Sequence, residues 1–82
     1  MNRAKYVMFD YPGMGEVPIL FPSHIEHKEI VRMVQAKSPG ITPISAGFVS
    51  PKYECFGCSI SLDLKSNVRD SAIIKLMFKE DY

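Results

Sequence analysis

Two pairs of metal-ligating side chains stand out in the chain: His24 with His27, and Cys55 with Cys58, each pair three residues apart. Zinc takes two imidazoles and two thiolates tetrahedrally, so these four residues form a conceivable structural metal site. Two features count against it. The histidine pair precedes the cysteine pair, the reverse of the usual finger order. On a regular strand, positions three apart point to opposite faces, so Cys55 and Cys58 converge only if Phe56-Gly57 makes a knuckle. The competing reading is one half-buried thiol and one surface thiol. A redox role has less support, because no helix start follows Cys55 to lower its pKa.

Nucleophilic catalysis is no better supplied. None of the serines lies in a G-x-S-x-G elbow. A Cys–His pair, Cys55 or Cys58 with His27, is the remaining nucleophile arrangement. Pro12-Gly13-Met14-Gly15 lacks the Gly-Lys-Ser/Thr ending of a phosphate loop and joins two strand-like segments. The expectation is a protein that is not an enzyme and uses no cofactor.

Binding chemistry has more to work with. A helix beginning near His24 and His27 offers unpaired N–H groups and a positive dipole end to an anion. Arg32, Lys65 and Arg69 are candidate charge partners, while Glu26 and Glu29 oppose an anion there. His27 also lies on an apolar stripe, where a satisfied core histidine is the plainer reading. A second candidate set is Ser45, Gly47, Phe48, Ser59 and Ser61. Small side chains at alternating strand positions leave a flat sheet face that another backbone or a planar ligand can approach. An ordinary solvated face is the alternative.

The elements that must position these residues are legible in outline. Residues 4–11 are aromatic and β-branched enough for a strand. Pro12 to Glu16 is turn chemistry, and Val17 to Phe21 reads as a second strand, placed at an edge by Pro18. Ser23 and Glu26 have the spacing of a capping box. His27, Ile30, Val31 and Val34 then fall on one helical stripe, and Ser38-Pro39-Gly40 ends the helix. Ile41 to Ser50 is a third strand. Tyr53 to Leu64 is a fourth, with a possible bend at Gly57 and with Cys58, Ile60, Leu62 and Leu64 on one side. A last helix runs from about Val68 to Lys79, with Val68, Ala72 and Leu76 facing inward and Ile73 and Met77 as further inward candidates. The order ββαββα predicts an α+β domain: a four-stranded antiparallel sheet with two helices on one face.

Bulk properties bound the function classes. The 82 residues form a single domain, 1–82, with 46% hydrophobic and 23% charged residues, ordinary globular usage. Ten Lys and Arg against nine Asp and Glu give a net charge of +1, with no basic stripe, which disfavours a duplex nucleic-acid partner. So small a charge does not discourage self-association. No apolar run suits a membrane span or a secretory leader, and two cysteines this close cannot staple a domain, so a cytoplasmic location is expected. Tyr11, Tyr53, Phe56 and Tyr82 fall at turns or ends and are candidates for exposed aromatics.

Three stretches read together resemble a known pattern: Phe21-Pro22 leading to His27, then Ser45-Ala46-Gly47-Phe48-Val49, then Gly57-Cys58-Ser59-Ile60-Ser61-Leu62. The pattern resembles that of a group of small uncharacterised phage, prophage and bacterial proteins. The resemblance brings no catalytic residues. It implies an accessory, counter-defence class acting in the host cell cytoplasm, where such proteins block a host complex or sequester a host signalling nucleotide. The leading expectation is therefore a homo-oligomeric binder of a small anionic, nucleotide-like ligand, with His24, His27, Arg32, Ser45, Gly47, Phe48, Ser59, Ser61, Lys65 and Arg69 as candidate contacts. The alternative is an inhibitor that blocks a host defence protein by direct contact.

Overall fold

A computed structural model describes residues 4–78. Its elements are β1 (Ala4–Tyr11), β2 (Gly15–Pro22), α1 (His27–Lys37), β3 (Thr42–Val49), β4 (Cys55–Phe56), β5 (Cys58–Ser59), β6 (Leu64–Lys65) and α2 (Asp70–Phe78). The first four strands in the order β2-β1-β3-β4 make one antiparallel sheet, curled into a half-barrel, and β5-β6 make a separate two-stranded ribbon. The α+β class and the four-stranded antiparallel sheet with two helices agree with the sequence. No helix among the described residues is long and apolar enough to cross a membrane. Lys79 and Tyr82, assigned above to a helix end and an exposed aromatic, lie outside the described residues.

The two helices do not share a face. Side chains alternate along a strand, and Tyr6 to Phe9 are four consecutive buried residues. Val7 and Phe9 pack with Phe21, Ile30, Val31, Ile41 and Ala46 on the α1 side. Tyr6 and Met8 pack with Val49 and Ile74 on the α2 side. A central strand that is apolar on both sides must be covered on both sides. The uncovered sheet face expected from the sequence is thus the floor beneath α2.

Register explains several details. β1 pairs with β2 from Ala4↔Pro22 to Tyr11↔Gly15, around a turn closed by Met14 N–H donating to the Tyr11 carbonyl at 2.9 Å. Gly13 and Gly15 hold positive φ there. In the β1–β3 ladder, Met8 faces Ser45 but Phe9 faces Pro43, so Ile44 is an extra residue that kinks β3.

The expected fourth strand is broken. Gly57, at φ +78°, turns the chain after β4, and residues 60–63 form a turn in which Asp63 also takes a positive φ. Ile60, placed by strand alternation on the same side as Leu62 and Leu64, is 92% exposed. Leu62 and Leu64 beyond the turn do pack against the α1-side core. The N-cap of α1 is Glu26, not Ser23. The Glu29 carboxylate accepts the Glu26 N–H at 3.0 Å, and Glu29 N–H donates to the Glu26 carbonyl at 3.1 Å. His27, Ile30 and Val31 are buried as expected, and the helix ends at Lys37 with Ser38 N–H donating to the Val34 carbonyl.

The inward side of α2 also differs. Its buried residues are Asp70 and Ile74, whereas Leu76 is 86% exposed and Val68, which precedes the helix, is 98% exposed. Asp70 Oδ2 accepts from Tyr6 Oη at 2.5 Å, Ser45 Oγ at 2.7 Å and Asn67 N–H at 2.9 Å. Burial first, and the Asp70 acceptor second, push the Tyr6 hydroxyl well above its ordinary range, so it remains a donor. A polar position took the place of an apolar stripe because Tyr6 and Ser45 present hydroxyl donors from the sheet.

Gly47 is where the sheet leaves no room. A Cβ there would lie 2.5 Å from the Phe56 carbonyl oxygen, which is backbone and cannot swing aside. At Gly40 the same atom meets nothing within 4 Å. Gly47→Ala should cost roughly 1–3 kcal/mol in denaturant melts. Gly40→Ala should be neutral or stabilising by at most about 1 kcal/mol. Equal effects at the two sites would contradict this packing.

Candidate functional site

The start of α1 and the turn after β5 face each other across a groove. Lys5, Glu26, His27, Phe48 and the run Gly57 to Ser61 line it, and its volume is about 370 Å³. β1 supplies Lys5, whose Nζ donates to the Ile25 carbonyl at 3.0 Å and so ties the sheet to the turn before α1. β3 supplies Phe48. The bend at Gly57 brings β5 around to form the opposite wall.

His27 organises one side. It is buried, and its Nε2 lies 2.9 Å from the Gly47 carbonyl oxygen. A carbonyl only accepts, so Nε2 carries the proton and Nδ1 does not. The ring sits edge-on to Phe21 at 5.4 Å and to Phe48 at 6.0 Å. Burial pulls its pKa below the ordinary 6.5, against a smaller upward effect of the Gly47 hydrogen bond. Phe48 stacks on Phe56 with ring centres 5.8 Å apart. A Cβ at Gly57 would meet the Phe48 ring at 3.0 Å, so the bend lies directly against the aromatic wall.

The other wall is hydroxylic. Ser59 Oγ is 3.4 Å from Ser61 Oγ and accepts the Leu62 N–H at 3.3 Å. Ser59 is buried and fixes the turn, while Ser61 and the Cys58 thiol are exposed beside it. Lys5 and Glu26 bring one positive and one negative charge to the lining.

The residues singled out from sequence divide sharply. His27, Phe48, Ser59 and Ser61 meet in this groove. His24 is exposed in the turn before α1, Arg32 is exposed on α1, and Lys65 is exposed on β6. Arg69 pairs with Glu16. Ser45 is buried under α2 against Asp70, and Gly47 contributes its carbonyl to His27 from within the sheet. The free helix start expected to hold an anion is flanked instead by the carboxylates of Glu26 and Glu29. Lys5, Gly57 and Ile60 were missed. Only the Gly57 bend had a visible signal, the glycine itself.

The four-ligand metal alternative fails on geometry. Among the described residues no group of three or more His, Cys, Asp and Glu side chains is placed to hold a metal ion. Cys58 lines the groove, whereas Cys55 packs with Tyr6 and Ile74 on the α2 side. Burial also raises the Cys55 thiol pKa, which disfavours the thiolate a metal needs.

The buried neutral His27 gives a signed pH dependence. Its folded pKa lies below the unfolded value, so its contribution is complete above about pH 6.5. It is lost as pH falls from there toward the folded pKa, because the unfolded state takes up the proton first. Urea melts between pH 7.5 and 5 should show falling stability. His27→Gln, which keeps a donor for the Gly47 carbonyl, should flatten that fall. An identical slope in both proteins would remove His27 as its source.

Comparison with protein-family models, with curated proteins and with solved structures returns no match.

Proposed function

We propose that the chain is a non-enzymatic binding protein that captures a small nucleotide-like host signal in the groove between α1 and the β5 turn, as a counter-defence factor of the phage type in the host cytoplasm. The observation that carries this reading is convergence. The three separate stretches behind the resemblance meet at one place, with Phe21 and Phe48 edge-on to His27 and Gly57 to Ser61 forming the facing wall. About 370 Å³ is near the lower end for a small-molecule pocket. That size suits part of a nucleotide, with a second protomer completing the enclosure. One lysine and one glutamate in the lining favour a ligand with a single acidic group and several hydrogen-bond donors over a polyphosphate.

Thermal shift against cyclic and linear nucleotides and nucleosides tests this. A binder at a hundred times its Kd adds about 2.7 kcal/mol, a rise of roughly 11–22 °C for a domain of this size. Ser61→Trp, at an exposed position in the groove, should keep the fold and abolish the rise. No stabilisation by any member of the panel would end the ligand reading.

The second reading is direct blockade of a host defence protein. It is favoured by Val68 and Leu76, at 98% and 86% exposure, with Met77 exposed beside them. Large apolar side chains left in water on one short segment mark a contact surface. Leu76→Glu should leave stability unchanged to within about 0.5 kcal/mol and abolish counter-defence activity in infected cells. Activity retained by Leu76→Glu and lost by Ser61→Trp would decide for the groove.

A further inference from the structure

We infer that α2 is a hinged cover, which leaves the sheet as one unit while the α1 side stays folded and thereby bares the strip formed by Tyr6, Met8, Ser45 and Val49. The helix is fastened by few groups. Ile74 and Asp70 are the only buried residues among those described in it, with Ile73 half-buried beside them. Ser71 Oγ accepts the Cys55 N–H at 2.8 Å. Ala72 is exposed, Leu76 is 86% exposed and Met77 about half exposed, so they add little to docking.

The central fastening is itself incomplete. Three donors converge on Asp70 Oδ2, Tyr6 and Ser45 from the sheet and Asn67 N–H from the turn before the helix, while Oδ1 is buried with no hydrogen-bond partner among the described residues. An unpaired buried carboxylate oxygen is a standing penalty of the docked state, relieved when the helix lifts into water. The nine described residues are too few for a helix to persist alone, so lifting and unwinding are one event.

The hinge has a fixed upstream end. Ser66 N–H donates to the Gly57 carbonyl at 3.0 Å, and Asn67 to Arg69 form the turn that follows. On the far side of the sheet, the cluster of Val7, Phe9, Phe21, Ile30, Val31, Ile41 and Ala46 includes no α2 residue. Opening therefore leaves that core closed, the condition for a cooperative unit smaller than the whole domain.

Native-state hydrogen exchange on the full chain in low guanidinium reads this directly. Amides of residues 70–78 should share one exchange isotherm, with a shallower denaturant slope than the Tyr6–Phe9 amides. Val31→Ala, on the α1 side, should speed the Tyr6–Phe9 amides about tenfold and leave 70–78 unchanged. Tyr6→Phe, which removes one donor from Asp70, should speed 70–78 about tenfold. If residues 70–78 share the β1 slope and respond equally to Val31→Ala, the domain opens only as a whole and the inference falls. Exchange graded residue by residue along α2, without a common slope, would show fraying and overturn it as well.

Discussion

At Gly47 three parts of the chain compete for the same few ångströms. Its carbonyl accepts a hydrogen bond from His27 Nε2–H and fixes the first turn of α1 against β3. The space its side chain would fill holds the Phe56 carbonyl, where the chain begins to turn away from the sheet. Next to it in sequence, Phe48 stacks on Phe56 and lies under the Gly57 bend. A residue with a Cβ at position 47 would push β4 outward and carry Gly57 to Ser61 with it. The groove exists because this one position has no side chain.

Covering both sides of a sheet is unusual economy for 82 residues, and it moves the usable surface. Had both helices covered one side, the other would have been a broad platform. With β1 apolar on both sides, that platform becomes an interior. The concave feature near the resemblance-bearing residues is then the seam where α1 meets the β5–β6 ribbon. Its walls are set by tight elements: a helix start tied by Lys5 to the sheet, and a serine-fixed turn.

The sequence made β1, β2, α1 and β3 legible because local signals and tertiary demands agree there. Proline and glycine punctuate the ends, and periodicity places His27, Ile30 and Val31 correctly. It misled over α2 because inward orientation was read from hydrophobicity alone. Asp70 displaced the apolar candidates through partners 25 and 64 residues away, and no local pattern encodes those. The alternation from Cys58 to Leu64 misled for a related reason. Gly57 permits a turn that strand periodicity ignores, so Leu62 and Leu64 reach the core while Ile60 does not. His27, Phe48, Ser59 and Ser61 were recognised individually; their meeting point depends on the bend and on α1 lying opposite α2, neither of which spacing reveals.

The two faces also divide how the fold is held. The α1 side relies on apolar contact among seven buried side chains, which is tolerant of small shifts and hard to release piecemeal. The α2 side relies on one carboxylate receiving two directional hydrogen bonds from the sheet, and the helix itself adds only Ile74 and half-buried Ile73 to the apolar cluster there. Hydrogen bonds exchange readily for water, so their net worth is small, roughly 0.5–1.5 kcal/mol each and more for a charged acceptor. Burying Val68 or Leu76 fully would be worth roughly 1.5–3 kcal/mol apiece, and the monomer forgoes both. The apolar surface that would have locked α2 down therefore stays available to whatever meets it from outside, on the side of the sheet away from the groove.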